Sequence, residues 1–330
     1  MAPRKDHSRG RQCYEDKPTA ETAMTRTGET PVSRDPSEEI AMLPFPENNF
    51  LNLPDELSDP RTARFFILPA PYEGTVSYAT GTGDGPSQII AASEQVELFD
   101  DELKAEFFQC GVATLPPVPP ADTPEEEMRR LAKAADPIIQ AGKFLLTLGG
   151  EHSISYPLVK AAAQAHGEIS VLQIDAHADL RDVYKDSRHS HACIMRRVLE
   201  ITPRIAQVGI RNFSKEEFEA CPQQVANFIT PRVIRSDPKW IERTLSLLGE
   251  KVYITVDIDG LDPSEAPGTG TPEPGGLRWL ELCDLLRRVF AERQVVSADI
   301  VEVRPLPPSN QTEFLAARLA YKLIAYAQLR

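Results

Sequence analysis

Hydrophobic positions in this 330-residue chain fall in short, dense runs separated by polar stretches. The runs are FFILPA (65–70), GVATL (111–115), KFLLTLGG (143–150), ISVLQIDA (169–176), RIAQVGI (204–210), VYITVDIDG (252–260) and VVSADIVEV (295–303). A strand buried on both faces reads as near-continuously apolar, whereas a strand with one wet face alternates. Between the runs lie segments whose apolar residues recur at helical spacing: 85–99, 123–142, 155–166, 277–292 and 312–328. The second opens Thr123-x-x-Glu126, a capping-box pattern. Strands alternating with helices predict an α/β fold, with a central and mainly parallel β-sheet covered on both faces.

The first sixty residues differ in texture. They are polar, proline-rich and charged, with no periodic apolar face before LPFPENNFLNLP (43–54). The first ~35 residues are expected to be disordered, and the next ~25 to form an extended arm lying on the body. No internal repeat or linker interrupts 61–330, which reads as a single domain.

Composition narrows the function classes. A hydrophobic content of 41% with 26% charged residues is that of a globular protein. A net charge of −13 argues against a nucleic-acid partner, which would call for a basic stripe, and suits a small cationic substrate. Cys13, Cys110, Cys193, Cys221 and Cys283 are odd in number and widely spaced, so reduced thiols in a cytoplasm are expected rather than a disulfide framework. The start MAPRKDHSRGRQCYEDK lacks an apolar core, so no secretory leader is expected, and no apolar run is long enough for a bilayer.

Chemistry concentrates at strand ends. In open parallel sheets functional groups gather at the carboxyl edge. Here KFLLTLGG runs into Glu151 and His152, ISVLQIDA into Asp175, His177 and Asp179, and VYITVDIDG into Asp257 and Asp259. One such ending is weak evidence, but three at one edge gather four aspartates and two histidines. Carboxylates clustered about 4–6 Å apart do not all stay ionised unaided. Two divalent cations would balance four negative charges and leave two imidazoles as ligands. A sulfur-free, carboxylate-rich set suits manganese or a similar ion, and paired metals commonly activate water. His7, His166 and His189 lack this context and are assigned to disorder or surface.

The ordered series GGEHS, DAHAD, SHACIMRR and VDIDGLDPSEAPGTGTPEPGG resembles the ureohydrolase (arginase/agmatinase) family from about residue 65 to the C-terminus. The resemblance implies a three-layer α/β/α fold of the arginase/deacetylase type, assembled as a homo-oligomer, a trimer or hexamer. It implies two Mn2+ per subunit and hydrolysis of a guanidino group to urea and an amine. One ion would be held by His152, Asp175, Asp179 and Asp257, the other by Asp175, His177, Asp257 and Asp259. Ni, Co or Zn could occupy the same ligands. Glu302, in ADIVEVRP, matches the carboxylate that receives the guanidinium, and His191, in SHACIMRR, the histidine that moves protons. Glu151 and Asp299 are expected to support the metal ligands.

Substrate identity turns on fewer residues. Arginases grip the amino-acid end of arginine just after D-x-H-x-D, typically with an asparagine, whereas this chain has Leu180-Arg181-Asp182. Glu273, in APGTGTPEPGG, is also more agmatinase-like. Both favour agmatine, giving putrescine and urea. Arg304, where relatives often have asparagine, together with Arg181 and Arg196, keeps open guanidinobutyrate, guanidinopropionate, guanidine, arginine or formiminoglutamate. A deacetylase holding a single zinc, and a non-catalytic scaffold, are the competing readings.

Overall fold

The computed structural model describes residues 35–43 and 48–329. The disorder expected of the N-terminus falls on 1–34, outside the described residues, as do His7 and Cys13. Nine strands occur among the described residues: β1 (Phe65–Ala70), β2 (Phe99–Asp100), β3 (Ala105–Glu106), β4 (Val112–Thr114), β5 (Phe144–Gly149), β6 (Ser170–Ile174), β7 (Ile205–Val208), β8 (Lys251–Asp257) and β9 (Gln294–Val301). Seven form one parallel sheet in the order β4-β1-β5-β9-β8-β6-β7, while β2 and β3 make a separate antiparallel ribbon. Five strands of the large sheet lie inside one of the seven apolar runs, and β8 and β9 begin one residue before theirs.

The pleat sends alternate side chains to opposite faces, and each face builds a core. Phe65, Ile67, Leu146, Leu172 and Ile254 meet helices Gly85–Ser93, Trp240–Leu247, Trp279–Glu292 and Gln311–Tyr326. Phe66, Leu68, Leu145, Val171 and Tyr253 meet Pro124–Gln140, Ser155–His166 and Ile194–Val198. Three layers result, as the resemblance implied.

Local expectations differ in three places. The segment read as an extended arm contains helices Pro36–Ala41 and Asp55–Ser58. Ile40 enters one core, and Phe50, Leu51 and Leu53 enter the other. The amides of Phe50 and Leu51 donate to Thr114 Oγ1 (2.9 Å) and Ser93 Oγ (2.7 Å), so this stretch is fastened into the body by both apolar and polar contacts. The helix expected over 85–99 ends at Ser93, whose hydroxyl donates back to the Ile90 carbonyl before the chain turns into β2. Thr123 caps its helix by accepting from the Glu126 amide, but Glu126 faces Arg129 and Arg130 instead of returning the bond. The reciprocal box forms at Ser214 and Glu217.

One row across the sheet is polar although fully buried. Thr147, Asp299, Thr255, Gln173 and Gln207 lie in register on β5, β9, β8, β6 and β7. Since buried polar groups cost free energy without partners, such a row inside a core needs a purpose, and it sits one pleat before the strand ends.

Far from that edge, Lys322 on the last helix is buried between Asp100 (2.9 Å) and Glu102 (2.9 Å), with Tyr326 also donating to Glu102. Burial alone would lower the Lys322 pKa, but the two carboxylates raise it, so the pair is ionic. Removing one partner of a buried pair strands the other charge, which costs about 3–5 kcal/mol. Lys322→Ala should therefore lower the unfolding free energy by roughly 3 kcal/mol in urea titration.

Candidate active site

Four adjacent central strands, β5, β9, β8 and β6, deliver their C-terminal ends to one place. His152 follows β5, Asp175, His177 and Asp179 follow β6, Asp257 closes β8, Asp259 sits in the single turn Ile258–Gly260, and Glu302 follows β9. All six expected ligands converge. His152 Nδ1 lies 3.1 Å from Asp175 Oδ2, 3.1 Å from Asp179 Oδ2 and 3.4 Å from Asp257 Oδ2. His177 Nδ1 lies 3.0 Å from Asp259 Oδ2 and 3.6 Å from Asp175 Oδ1. Two groups of side chains able to hold a metal follow among the described residues: His152, Asp175 and Asp179, and Asp175, His177 and Asp259. Asp175 is common to both. Asp257 joins the first group through His152, while its Oδ1 accepts from the Asp259 amide (2.9 Å).

The donor set fits cations, as the surroundings of His152 show. Its Nε2 lies 2.9 Å from Thr255 Oγ1, and that hydroxyl donates to Asp299 Oδ1 (2.6 Å), which also receives Tyr253 through Oδ2 (2.6 Å). Thr255 spends its proton on Asp299, so it accepts from Nε2–H, and Nδ1 keeps a lone pair. Buried Nδ1 has no well-aligned hydrogen-bond partner among the described residues, although three carboxylate oxygens crowd it. A lone pair among carboxylates is the arrangement a cation resolves.

Titration points the same way. Burial and the charge of Asp175 push Asp179 up to about 7. Asp257 is pushed well above the usual carboxylate range by burial and by Asp259 and Asp175. Burial alone would raise Asp175, but His152 and His177 hold it below its ordinary value. For the two histidines burial is outweighed by the surrounding carboxylates, and both are raised. Left to itself, the cluster must recruit protons to stay together, and divalent ions can replace them.

Backbone and second neighbours fix the carboxylates. The His177 amide donates to Asp175 Oδ1 (2.6 Å), the Ala176 amide to Asp259 Oδ1 (3.1 Å), and Thr271 to Asp259 Oδ2 (3.2 Å). Gln173 Nε2 donates to Asp175 Oδ2 (2.7 Å), and Gln207 Nε2 donates to Gln173 Oε1 (2.6 Å). The buried polar row thus ends on the cluster, through Gln173 on one side and Thr255 on the other.

Above the cluster opens a cleft of about 230 Å³. Glu302 and His191 both line it. Glu302 is 8% exposed and accepts from the His152 amide (2.8 Å). Burial, then the charge of Glu151, pushes it up to about 8. Its φ of 61°, like the 52° of Asp179, is left-handed, and such backbone outside glycine persists where the surroundings impose it, commonly at functional sites. His191 starts the turn His191–Cys193, stands edge-on to Tyr184, and lies with Nδ1 3.1 Å from Thr75 Oγ1. Burial, then His152 and His177, lower it to about 4.

The remaining candidates separate clearly. Glu151 is buried beside the cluster, accepting from Thr75 and Ser153. Asp299 lies one layer beneath, under Thr255. Arg181 lines the cleft with its guanidinium 5.2 Å over the Tyr184 ring and 3.9 Å from Glu216. Arg304 turns away, donating to the Thr80 carbonyl (2.6 Å), and Arg196 is 2.8 Å from Cys221 Sγ. Glu273 reaches the cleft only through Asn212, which donates to it. His166 and His189 are half-buried rather than exposed, and neither lines the cleft. Thr75, Gln173, Gln207 and Thr255 escaped sequence reasoning. Of these, Gln173 and Thr255 carried a signal, being polar residues two positions before Asp175 and Asp257 on strands otherwise apolar.

Comparison with known proteins agrees with this geometry. The sequence profile described as "Arginase family" matches residues 63–325. An N(1)-aminopropylagmatine ureohydrolase of Synechocystis is 38% identical over 272 residues, 80% of this chain and 89% of that protein. An agmatinase of Bacillus anthracis is 34% identical over 267 residues, 78% and 90% of the two chains. The crystal structure of an agmatine ureohydrolase of Thermoplasma volcanium superposes with a TM-score of 0.76 at 30% identity, covering 88% of this chain and 97% of that one.

A cluster that binds ions only when folded couples ion occupancy to stability. Returning Mn2+ to chelator-stripped protein at about a hundred times its Kd should add about 2.7 kcal/mol, a rise of roughly 5 °C in Tm. Differential scanning fluorimetry reads this, and an unchanged Tm across the addition contradicts a buried ion-binding cluster.

Proposed function

The chain belongs to the arginase family as a ureohydrolase, a hydrolase of C–N bonds in linear amidines, and we propose that its substrate is agmatine, cleaved to putrescine and urea. The observation that carries the choice of a carboxylate-free amine is the state of the arginines. Among the described residues Arg181 is the one arginine lining the cleft, and Tyr184 and Glu216 already engage it, while Arg304 and Arg196 bond elsewhere. With Asp179, Asp257 and Asp259 given to the ions and Glu302 to the guanidinium, a substrate carboxylate entering the cleft would meet the carboxylate of Glu217, and among the described residues no lysine lines the cleft to receive it. A cationic amine meets the same lining favourably.

Manganese is the ion proposed, two per chain, with His152, Asp175, Asp179 and Asp257 holding one and Asp175, His177, Asp257 and Asp259 the other. When bound, such ions activate water and offset the charge that develops on a resonance-stabilised, poorly electrophilic guanidinium. The chain's own residues supply the rest. Glu302 receives guanidinium N–H groups, a planar charge-assisted pairing that fixes the carbon above the cluster. Water adds to that carbon, the bond to the chain nitrogen breaks, and the amine departs with a proton. His191, at the cleft wall, takes and returns that proton. Beneath the cluster Thr255 and Gln173 are fully buried, so water reaches the cluster from the cleft side.

A second reading has its own support. The cleft rim carries the exposed aromatics Tyr78 and Phe213, on which a longer cationic chain could lie. The relative from Synechocystis is named for an aminopropyl-extended agmatine, so N(1)-aminopropylagmatine is the alternative within the same substrate class.

Urea release from manganese-loaded protein tests the proposal across agmatine, N(1)-aminopropylagmatine, arginine, guanidinobutyrate, guanidinopropionate, guanidine and formiminoglutamate. The highest kcat/KM is expected on one of the first two; preference for an acid in the panel overturns the carboxylate-free reading. In the same assay, His191→Ala and Glu302→Gln should each lower turnover by about 100-fold or more with metal content retained.

A further inference from the structure

The cleft wall at His191 is backed by a side chain that the reaction as described does not use. Thr75 stands between a buried carboxylate and the His191 ring. Its Oγ1 lies 2.7 Å from Glu151 Oε1 and 3.1 Å from His191 Nδ1, and it accepts the His191 amide at 3.0 Å. Glu151 is fully buried and collects three hydrogen bonds, from the Thr75 amide (2.5 Å), Thr75 Oγ1 and Ser153 Oγ (2.5 Å).

We propose that Thr75, oriented by the Glu151 carboxylate, is a positioning residue that holds His191 as its Nδ1–H tautomer, with Nε2 presented to the cleft as the proton acceptor. A threonine hydroxyl has one proton and two acceptor lone pairs. Glu151 functions here as an acceptor of three donors, so the Thr75 proton is directed to it. The lone pairs of Oγ1 then face His191, one taking the backbone N–H and the other taking Nδ1–H. Nε2 has no hydrogen bond to the protein among the described residues, and the ring lines the cleft beside Tyr184. The order carboxylate, hydroxyl, imidazole fixes the tautomer as a buried carboxylate does in a serine-protease triad, with a hydroxyl interposed. When His191 receives a proton at Nε2, both ring nitrogens carry hydrogen, and Nδ1–H keeps its acceptor. The proton then passes from Nε2 to the departing amine, and the ring returns to its starting tautomer.

Glu151 serves a second purpose in this arrangement. It precedes His152 in the chain, and the Thr75 amide bonds to its other oxygen, so one carboxylate ties the 73–81 loop to the edge of β5. The loop carrying Thr75 also supplies Val76, Ser77, Tyr78 and Ala79 to the cleft, which links the tautomer of His191 to the position of the rim.

The inference rests on His191 being the proton carrier, and its test separates the two. In zinc-loaded, 15N-histidine-labelled protein, a diamagnetic holo form, long-range 1H–15N correlation should show the His191 resonance as Nδ1–H, assigned by its loss in His191→Ala. The Nε2–H tautomer overturns the proposal whether or not the enzyme acts on agmatine. In the urea assay, Thr75→Val should lower kcat about 10–100-fold with KM within about threefold of wild type, and Thr75→Ser should restore it. On a His191→Ala background the same Thr75→Val change should have less than about a twofold effect, since the two groups act as one unit. Equal losses on both backgrounds would assign Thr75 a purely structural role. Absence of urea from every guanidino compound with wild-type protein would instead remove the proposed substrate class and leave the tautomer result standing.

Discussion

Mutual repulsion among Asp175, Asp179, Asp257 and Asp259 is the constraint around which the rest of the molecule is arranged. Four carboxylates surround two imidazoles, with the ring Nδ1 atoms 3.0 to 3.6 Å from carboxylate oxygens, beneath a cleft. A parallel sheet can gather them, because neighbouring strands all end at the same edge and each ending adds its residues to one line. The price is a polar row inside the hydrophobic core. Asp299, Thr255 and Tyr253 fix His152 from below, while Gln207 and Gln173 fix Asp175. Left-handed backbone at Asp179 and Glu302, both beyond the strand ends that carry the cluster, belongs to the same accommodation.

The fold was legible because its signal is strong and repeated. Buried parallel strands leave apolar runs that need no partner to be recognised, and all seven strands of the sheet match one to within a residue at the start. Shorter elements were not legible. Helices such as Lys215–Ala220, Pro222–Ala226 and Pro231–Ser236 run five or six residues, too short for a 3.6-residue period to stand out. The N-terminal stretch misled for another reason. LPFPENNFLNLP looks like an arm because prolines and asparagines break any periodicity, yet Phe50, Leu51 and Leu53 are each driven into a core. Burial there follows from tertiary fit, which a local pattern does not encode.

The site divides in the same way. Ligand-type residues at strand ends are visible because carboxylates and histidines contrast with the apolar residues before them. Thr75 does not contrast with anything: it lies in PYEGTVSYATGTG, where a threonine is ordinary, and only its distances to Glu151 and His191 set it apart. Arg304 shows the converse. Its place two residues after Glu302 suggested a hand in recognising the substrate, but the left-handed turn at Glu302 sends it to the Thr80 carbonyl, where it braces the rim loop. Chain position near a catalytic motif and side-chain position near a substrate are separate properties.

Two ion positions sharing Asp175 are the core of this account, and counting the ions tests it most directly. Isothermal titration of Mn2+ into stripped protein, checked by elemental analysis of the loaded form, should give two equivalents per chain. Asp175→Ala should lose both, since the carboxylate common to the two groups would be gone. One tightly held ion per chain, or an Asp175→Ala protein that still takes up two, would contradict a paired site built around that aspartate.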